Sequence, residues 1–238
     1  MYRYFGSIPP GTEIKEGDWI IEFKCYPDNC VYKRKRGREL VKYVVGDVKT
    51  LYALPMIYTG KSYFMNLVLD TPITLDDEAY VEFRVGVPIA VKIVSEKEVI
   101  ITYEKEHTER STIRTVIDQI ALTRVKYSIY GDVMRGLLTR FYSVKVGSWS
   151  FITEVPMTLR VYNNSHHAYT LKRIVFPSTL PELYFREGSP HVMVSPLRVT
   201  LEKKYAVIEK DEVHVPEGFT KAEGSGIVKR WVAIFGLS

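Results

Sequence analysis

Hydrophobic and polar residues alternate with a period of two along much of this chain. From Val81 to Ile93 every odd position is Val, Phe or Ile, while Glu82, Arg84 and Lys92 fall on even positions. Such alternation puts one set of side chains on a single face of an extended strand, one face buried and the other wet. The pattern occurs twice. Phe83-Arg-Val-Gly-Val-Pro-Ile-Ala-Val-Lys-Ile-Val94 and Phe151-Ile-Thr-Glu-Val-Pro-Met-Thr-Leu-Arg-Val-Tyr162 both carry Phe, then Val-Pro four residues on, then alternation. A polar turn and a second β-rich run (99–106 and 168–176) follow each, which predicts a β-hairpin of the same kind in each half of the chain. Pro88 and Pro156 have no N–H to donate, so each is expected at a sheet edge or a bend.

Further short strands are predicted at 19–26, 31–36, 39–45, 64–69, 126–130, 137–146, 191–201, 204–209 and 229–235, with Gly, Pro, Asn and Asp clusters between them. One segment has helical spacing. In Ser111–Arg124, Ile113, Val116, Ile117, Ile120 and Ala121 fall at i, i+3, i+4, i+7 and i+8. Its shortness and β-branched content leave a strand reading open. The expected fold class is all-β: two β-sandwich-like units of mainly antiparallel strands, with at most one or two short helices. The expected domains are 1–118 and 119–238.

Composition narrows the class. With 46% hydrophobic and 26% charged residues over 238 positions, the chain is globular and long enough to bury a core. A net charge of +5 favours anionic partners only mildly. A single Gln and four Asn beside 33 Lys+Arg and 28 Asp+Glu match the composition of thermophile proteins. The N-terminal residues lack a signal-peptide core, and no apolar run approaches the roughly 18–20 residues that cross a bilayer. A soluble cytoplasmic protein is expected.

Candidate chemistry is sparse. Cys25 and Cys30 flank Tyr-Pro-Asp-Asn, a turn sequence, so they face each other across a hairpin either bridged or as free thiols; two cysteines make only half a zinc site. Lys33, Arg34, Lys35, Arg36 and Arg38 form the only dense basic run. At a hairpin tip they would grip phosphates or, more ordinarily, shield a sheet edge in water. His166-His167 and Asp76-Asp77-Glu78 read as turns, and Asn163-Asn164-Ser165 has the pattern of a glycosylation acceptor. Gly131-Asp-Val-Met-Arg-Gly136 has phosphate-loop glycine spacing, but Leu137 and Leu138 stand where Lys and Ser/Thr are needed. Gly224-Ser225-Gly226 lacks the spacing of a nucleophile elbow.

Lys126-Tyr-Ser-Ile-Tyr-Gly131 followed by Gly136-Leu-Leu-Thr-Arg140 is the least ordinary stretch. With Tyr4-Phe5-Gly6 and Arg173-Ile-Val-Phe-Pro177, it resembles an archaeal family catalogued as domain of unknown function 432. The resemblance implies an archaeal source and no assigned activity. On the residues alone, Tyr127 and Tyr130 form a structural corner, or they line an anion pocket with Arg135 and Arg140. No cofactor and no metal are expected. The leading functional expectation is a non-catalytic binding or scaffolding protein with a protein partner or a second copy of itself. The alternatives are an enzyme acting on an anionic or carbohydrate-like substrate, and nucleic-acid or anionic-surface binding through Lys33–Arg38.

Overall fold

The computed structural model describes residues 5–16, 18–46, 48, 50–103, 107–131 and 134–233. Tyr4, residues 104–106, Asp132, Val133 and the end of the last expected strand (234–235) lie outside them. Among the described residues there is no helix. The strands are β1 (Gly6–Ile8), β2 (Thr12–Glu16), β3 (Trp19–Cys25), β4 (Cys30–Arg36), β5 (Glu39–Gly46), β6 (Leu51–Met56) and β7 (Phe64–Leu75). Then come β8 (Tyr80–Pro88), β9 (Ala90–Tyr103), β10 (His107–Ala121), β11 (Lys126–Tyr130), β12 (Leu137–Val144), β13 (Glu154–Asn163) and β14 (Tyr169–Pro177). The last are β15 (Leu183–Arg186), β16 (Val192–Val194), β17 (Leu197–Leu201), β18 (Ala206–Lys210), β19 (Phe219–Lys221) and β20 (Arg230–Ala233).

The chain forms two compact units, each assembled from separate stretches. One takes the chain up to Leu54, Val91–Ile120 and Arg186–Pro190. It holds the antiparallel meander β2-β3-β4-β5 and a second sheet in the order β1-β6-β9-β10. In the meander the inward positions of β3 and β4 are Ile21, Phe23, Cys30, Tyr32 and, unusually, Arg34. Register sets Phe23 opposite Tyr32, Ile21 opposite Arg34, and Cys25 opposite Cys30. Residues 111–121, which carry the helical spacing, are strand here, within β10. Five of the eleven are Thr, Ile or Val between Thr112 and Ile117, and branching at Cβ costs rotamer freedom in a helix while suiting a pleated surface.

The other unit takes Pro55–Ala90, Ala121–Phe185 and the chain from His191. Its sheets are β20-β18-β17-β13-β8, β11-β12-β7-β14 and the small β16-β15-β19. The pairings of β13 with β17 and of β12 with β7 are parallel. Alternation works as expected on β13, where Val155, Met157, Leu159 and Val161 are buried while Pro156 is exposed. Each such fully buried side chain contributes at most about 1.5–3 kcal/mol of transfer free energy.

The two repeated stretches do not form a hairpin each. They pair with one another, β8 antiparallel to β13, with Val87 directly opposite Val155 and Gly86 opposite Pro156. Both valines are buried, at 0% and 6% exposure. The expected strand from Val81 to Ile93 is interrupted at Ile89, because Pro88 has no N–H with which to continue a ladder. After β13 the chain turns into a different sheet, since β14 pairs with β7. Asn163 makes that corner: its buried amide donates to the carbonyls of Leu75 (3.2 Å), Asp76 (2.8 Å) and His167 (2.8 Å), and its Oδ1 accepts from the Ser165 hydroxyl (2.6 Å). Alternation therefore identified the buried face correctly while leaving the partner strand unspecified.

Candidate functional site: a cleft beside the β12–β13 loop

A recess with a volume of about 250 Å³ lies where β12 passes into β13. Ser143, Lys145, Ser148, Trp149, Ser150 and Glu154 line it, together with Gly86 of β8. The loop is fixed at several points. The Gly147 N–H donates to the Arg84 carbonyl (2.8 Å), and the N–H groups of Thr153 and Glu154 both donate to the Ser150 carbonyl (3.2 and 2.9 Å). Gly147 has φ +72°, a left-handed conformation that glycine adopts without a Cβ penalty.

Glu154 is the central group. Its Oε1 accepts the Tyr142 hydroxyl at 2.5 Å and its Oε2 accepts the Ser150 N–H at 2.5 Å. Space for the carboxylate exists because residue 86 is glycine: a Cβ there would stand 2.5 Å from Trp149 Cβ and 2.6 Å from Glu154 Oε2. Burial, then the hydrogen bond to Glu154 and its charge, push the Tyr142 phenol well above its ordinary pKa, with Arg140 opposing. Tyr142 therefore stays protonated and keeps donating. Trp149 packs edge-on against Phe151 (5.8 Å between ring centroids), and its indole N–H is buried without a hydrogen-bond partner. Phe151 itself is 76% exposed.

Of the residues that the sequence nominated, Arg140 reaches this site indirectly. It lies two positions from Tyr142 on the same face of β12, its guanidinium 5.7 Å from the Tyr142 ring centroid. The guanidinium donates to the Tyr58 carbonyl and to Thr123 Oγ1 (2.5 Å), while its Nε is buried with no partner. Burial lowers its pKa, with Tyr142, Tyr127 and Tyr58 opposing. Tyr127 stands directly across from Arg140 in the β11–β12 pairing and accepts the Lys61 N–H at 2.9 Å. Tyr130, three residues along β11 and so on the other face, is buried; burial first and Tyr169 second push its phenol up to about 12, against Arg173. Arg135 is exposed in the turn before β12. Tyr127 and Arg140 are thus brought together, and Tyr130 and Arg135 stand apart from them.

The basic run lies mostly on β4, ahead of the turn, and period two divides it between two faces. Arg34 and Arg36 flank the Trp19 ring, at 5.1 and 4.5 Å from its centroid. Arg34 also meets Asp118 (2.6 Å) and Glu39 (3.0 Å), and Arg36 meets Asp18 (2.9 Å). Lys33, on the opposite face, lies 3.4 Å from Glu22. Lys35 and Arg38 are exposed. Cys25 and Cys30 are joined by a disulfide that closes the β3–β4 hairpin.

The remaining motifs are structural. His166 occupies a turn with φ +66°, and His167 Nδ1 lies 2.8 Å from the Ser165 carbonyl. Asp76 to Glu78 is a turn closed by the Ala79 N–H on the Asp76 carbonyl (3.2 Å). The Ser225 hydroxyl donates to the Ala222 carbonyl (2.7 Å) and accepts the Leu183 N–H (3.0 Å). Asn163 of the glycosylation pattern is buried at its corner. Among the described residues no three His, Cys, Asp or Glu side chains group as a metal-ligand set, and no helix is long and apolar enough to cross a membrane.

Sequence reasoning passed over Glu154, Tyr142, Trp149 and Lys145. One signal was present. Aligned on their Val-Pro pairs, the two repeats differ just before the valine, where one has Gly86 and the other Glu154. The glycine of one copy makes room for the carboxylate of the other. The profile of a protein family described as protein of unknown function (DUF432) matches residues 1–230. Neither curated proteins nor solved structures provide a significant match.

Proposed function

We propose, for a chain that belongs to the DUF432 family of proteins of unknown function, a non-catalytic binding role seated in the cleft beside the β12–β13 loop. One observation carries this reading: a single carboxylate lines the cleft, and each of its oxygens already accepts a hydrogen bond from the protein. Glycoside hydrolysis in its usual form needs two carboxyl groups flanking the bond. A serine nucleophile of the usual kind works with a histidine base, and no histidine lines the cleft beside Ser143, Ser148 or Ser150. What remains is a fixed acceptor, free hydroxyls, an ammonium and aromatic surface, a set suited to holding a ligand.

The basic run supports the nucleic-acid alternative less well, because Lys33, Arg34 and Arg36 already meet carboxylates. The test is two-sided. The Trp149 indole resonance, assigned by loss in Trp149→Phe, should shift with members of a small polar fragment library. Chromogenic esters, phosphates and glycosides should show no turnover that Glu154→Gln abolishes. An indole that responds to nothing, or turnover that depends on Glu154, would overturn the proposal.

A further inference from the structure

Resting on that binding reading, we infer that the cleft takes a neutral, hydroxyl-rich ring: a single pyranose unit. Its volume of about 250 Å³ falls below the roughly 300–1,000 Å³ of clefts that hold drug-sized ligands, so one ring is the scale of the occupant. Charge decides the class. One cation, Lys145, and one anion, Glu154, line the cleft, so the lining has no excess of either sign to match a ligand carrying net charge.

The hydrogen-bonding inventory fits a polyol. An ionised carboxylate has about four acceptor positions, and Glu154 uses one on each oxygen within the protein. Each oxygen therefore keeps a position for a hydroxyl donor, and a pair of adjacent sugar hydroxyls supplies two such donors. The serine hydroxyls both donate and accept, while Lys145 only donates, which suits ring and hydroxyl oxygens. Beside this polar wall stands an apolar one. Trp149 lines the cleft, and Phe151, which lies outside the lining but meets Trp149 in a T-shaped contact and is mostly in water, adds ring surface for the C–H side of a sugar.

Saturation-transfer NMR on the intact protein tests the assignment, using methyl glucopyranoside, mannopyranoside and galactopyranoside beside glucose 6-phosphate and phenylalanine. At least one methyl pyranoside should receive transfer, and the anionic glucose 6-phosphate and the zwitterionic phenylalanine should receive less. Removing an acceptor that carries charge weakens binding about 10-fold or more, the expectation for Glu154→Gln. Loss of an aromatic platform costs about 2- to 10-fold, the expectation for Phe151→Ala, whose exposed side chain leaves the fold intact. Transfer unchanged in both variants would overturn the site. Preference for glucose 6-phosphate or for phenylalanine would overturn the neutral-ring class and leave the binding reading standing. No response to the pyranosides, with the Trp149 indole still moving in the fragment library, would also remove only the ligand class. Silence in both measurements would remove the binding reading as well.

Discussion

Arg34 on β4 and Arg140 on β12 are 7% and 1% exposed, and they solve the burial of a guanidinium in different ways. Arg34 has Asp118 and Glu39 within ion-pair distance and the Trp19 ring at 5.1 Å. Arg140 has a carbonyl, a hydroxyl and the Tyr142 ring, and among the described residues no carboxylate pairs with it. Their pKa values move apart accordingly. Burial pulls Arg34 down, but its hydrogen bonds and charge contacts with Asp118 and Glu39 outweigh this and the net shift is upward. For Arg140 burial prevails and the shift is downward. A buried charge is expensive alone and tolerable when paired, so the two sites should respond differently to the same substitution.

Arg34→Met tests this most severely. It leaves Asp118, itself 8% exposed, with a buried charge supported by Tyr32 (2.8 Å) and not by a cation. Breaking one side of such a pair costs about 3–5 kcal/mol. Urea denaturation should show that loss, and adding Asp118→Leu should recover most of it, because replacing both partners by apolar groups is often neutral. Failure of the double variant to recover would mean that Arg34 acts through packing on Trp19.

A paired carboxylate sharpens the contrast from the acidic side. Glu182 accepts from Lys210 (2.6 Å), Lys221 (2.7 Å) and the Tyr184 hydroxyl (2.6 Å). Burial raises its pKa, but these three donors prevail and bring it down to about 2. A folded pKa below the ordinary carboxylate value means that the contribution is complete above about 4.5 and fades as pH falls toward about 2. Thermal melts of the parent protein should decline across that window more steeply than those of Glu182→Gln. Parallel declines would place the acid sensitivity elsewhere.

Arg140→Met is the counterpart of the first substitution. Methionine fills much of the same volume, removes an unpaired charge and strands no carboxylate, so stability should change by no more than about 1 kcal/mol in either direction. Any effect on the cleft is indirect, through the tilt of the Tyr142 ring beneath the guanidinium. A loss matching that of Arg34→Met would mean that the bonds to Tyr58 and Thr123 hold more of the unit together than the charge costs.

Neither arginine's environment was fully legible in the chain. Period two revealed which positions face inward, and it was right for Val87, Val155 and the strand class of nearly every segment. It read Lys33 to Arg38 as a solvated block because charge type outweighed position; counted by twos from Tyr32, Arg34 belongs to the buried face. Asp118 stands 84 residues from Arg34, and no local pattern joins them. Pairing partners are equally invisible to periodicity, which is why the two Val-Pro stretches read as separate hairpins when they are neighbouring strands. The cleft escaped notice for the same reason: Glu154 and Gly86 acquire meaning only once β13 lies against β8.

The smallest effect separates Arg34 from its own neighbours in the run. Lys35 lies on the opposite face of β4, across from Ile20 and Leu40, and Arg38 sits in the turn with Gly37. Replacing both by Ala should change stability by no more than about 0.5 kcal/mol, the range of ordinary surface substitutions. The same pair measures what positive charge the run has left for an anionic partner. Five cations free to neutralise phosphates would give a log–log salt slope near about −4.5 on duplex DNA, whereas two give about −1.8. Since Lys33, Arg34 and Arg36 are held by Glu22, Asp118 and Asp18, retention on DNA should follow the shallower slope, and Lys35→Ala with Arg38→Ala should flatten it nearly to zero. A steep slope that survives both substitutions would show that the ion pairs open in favour of phosphate, and Arg34 would then be as exchangeable as any surface cation.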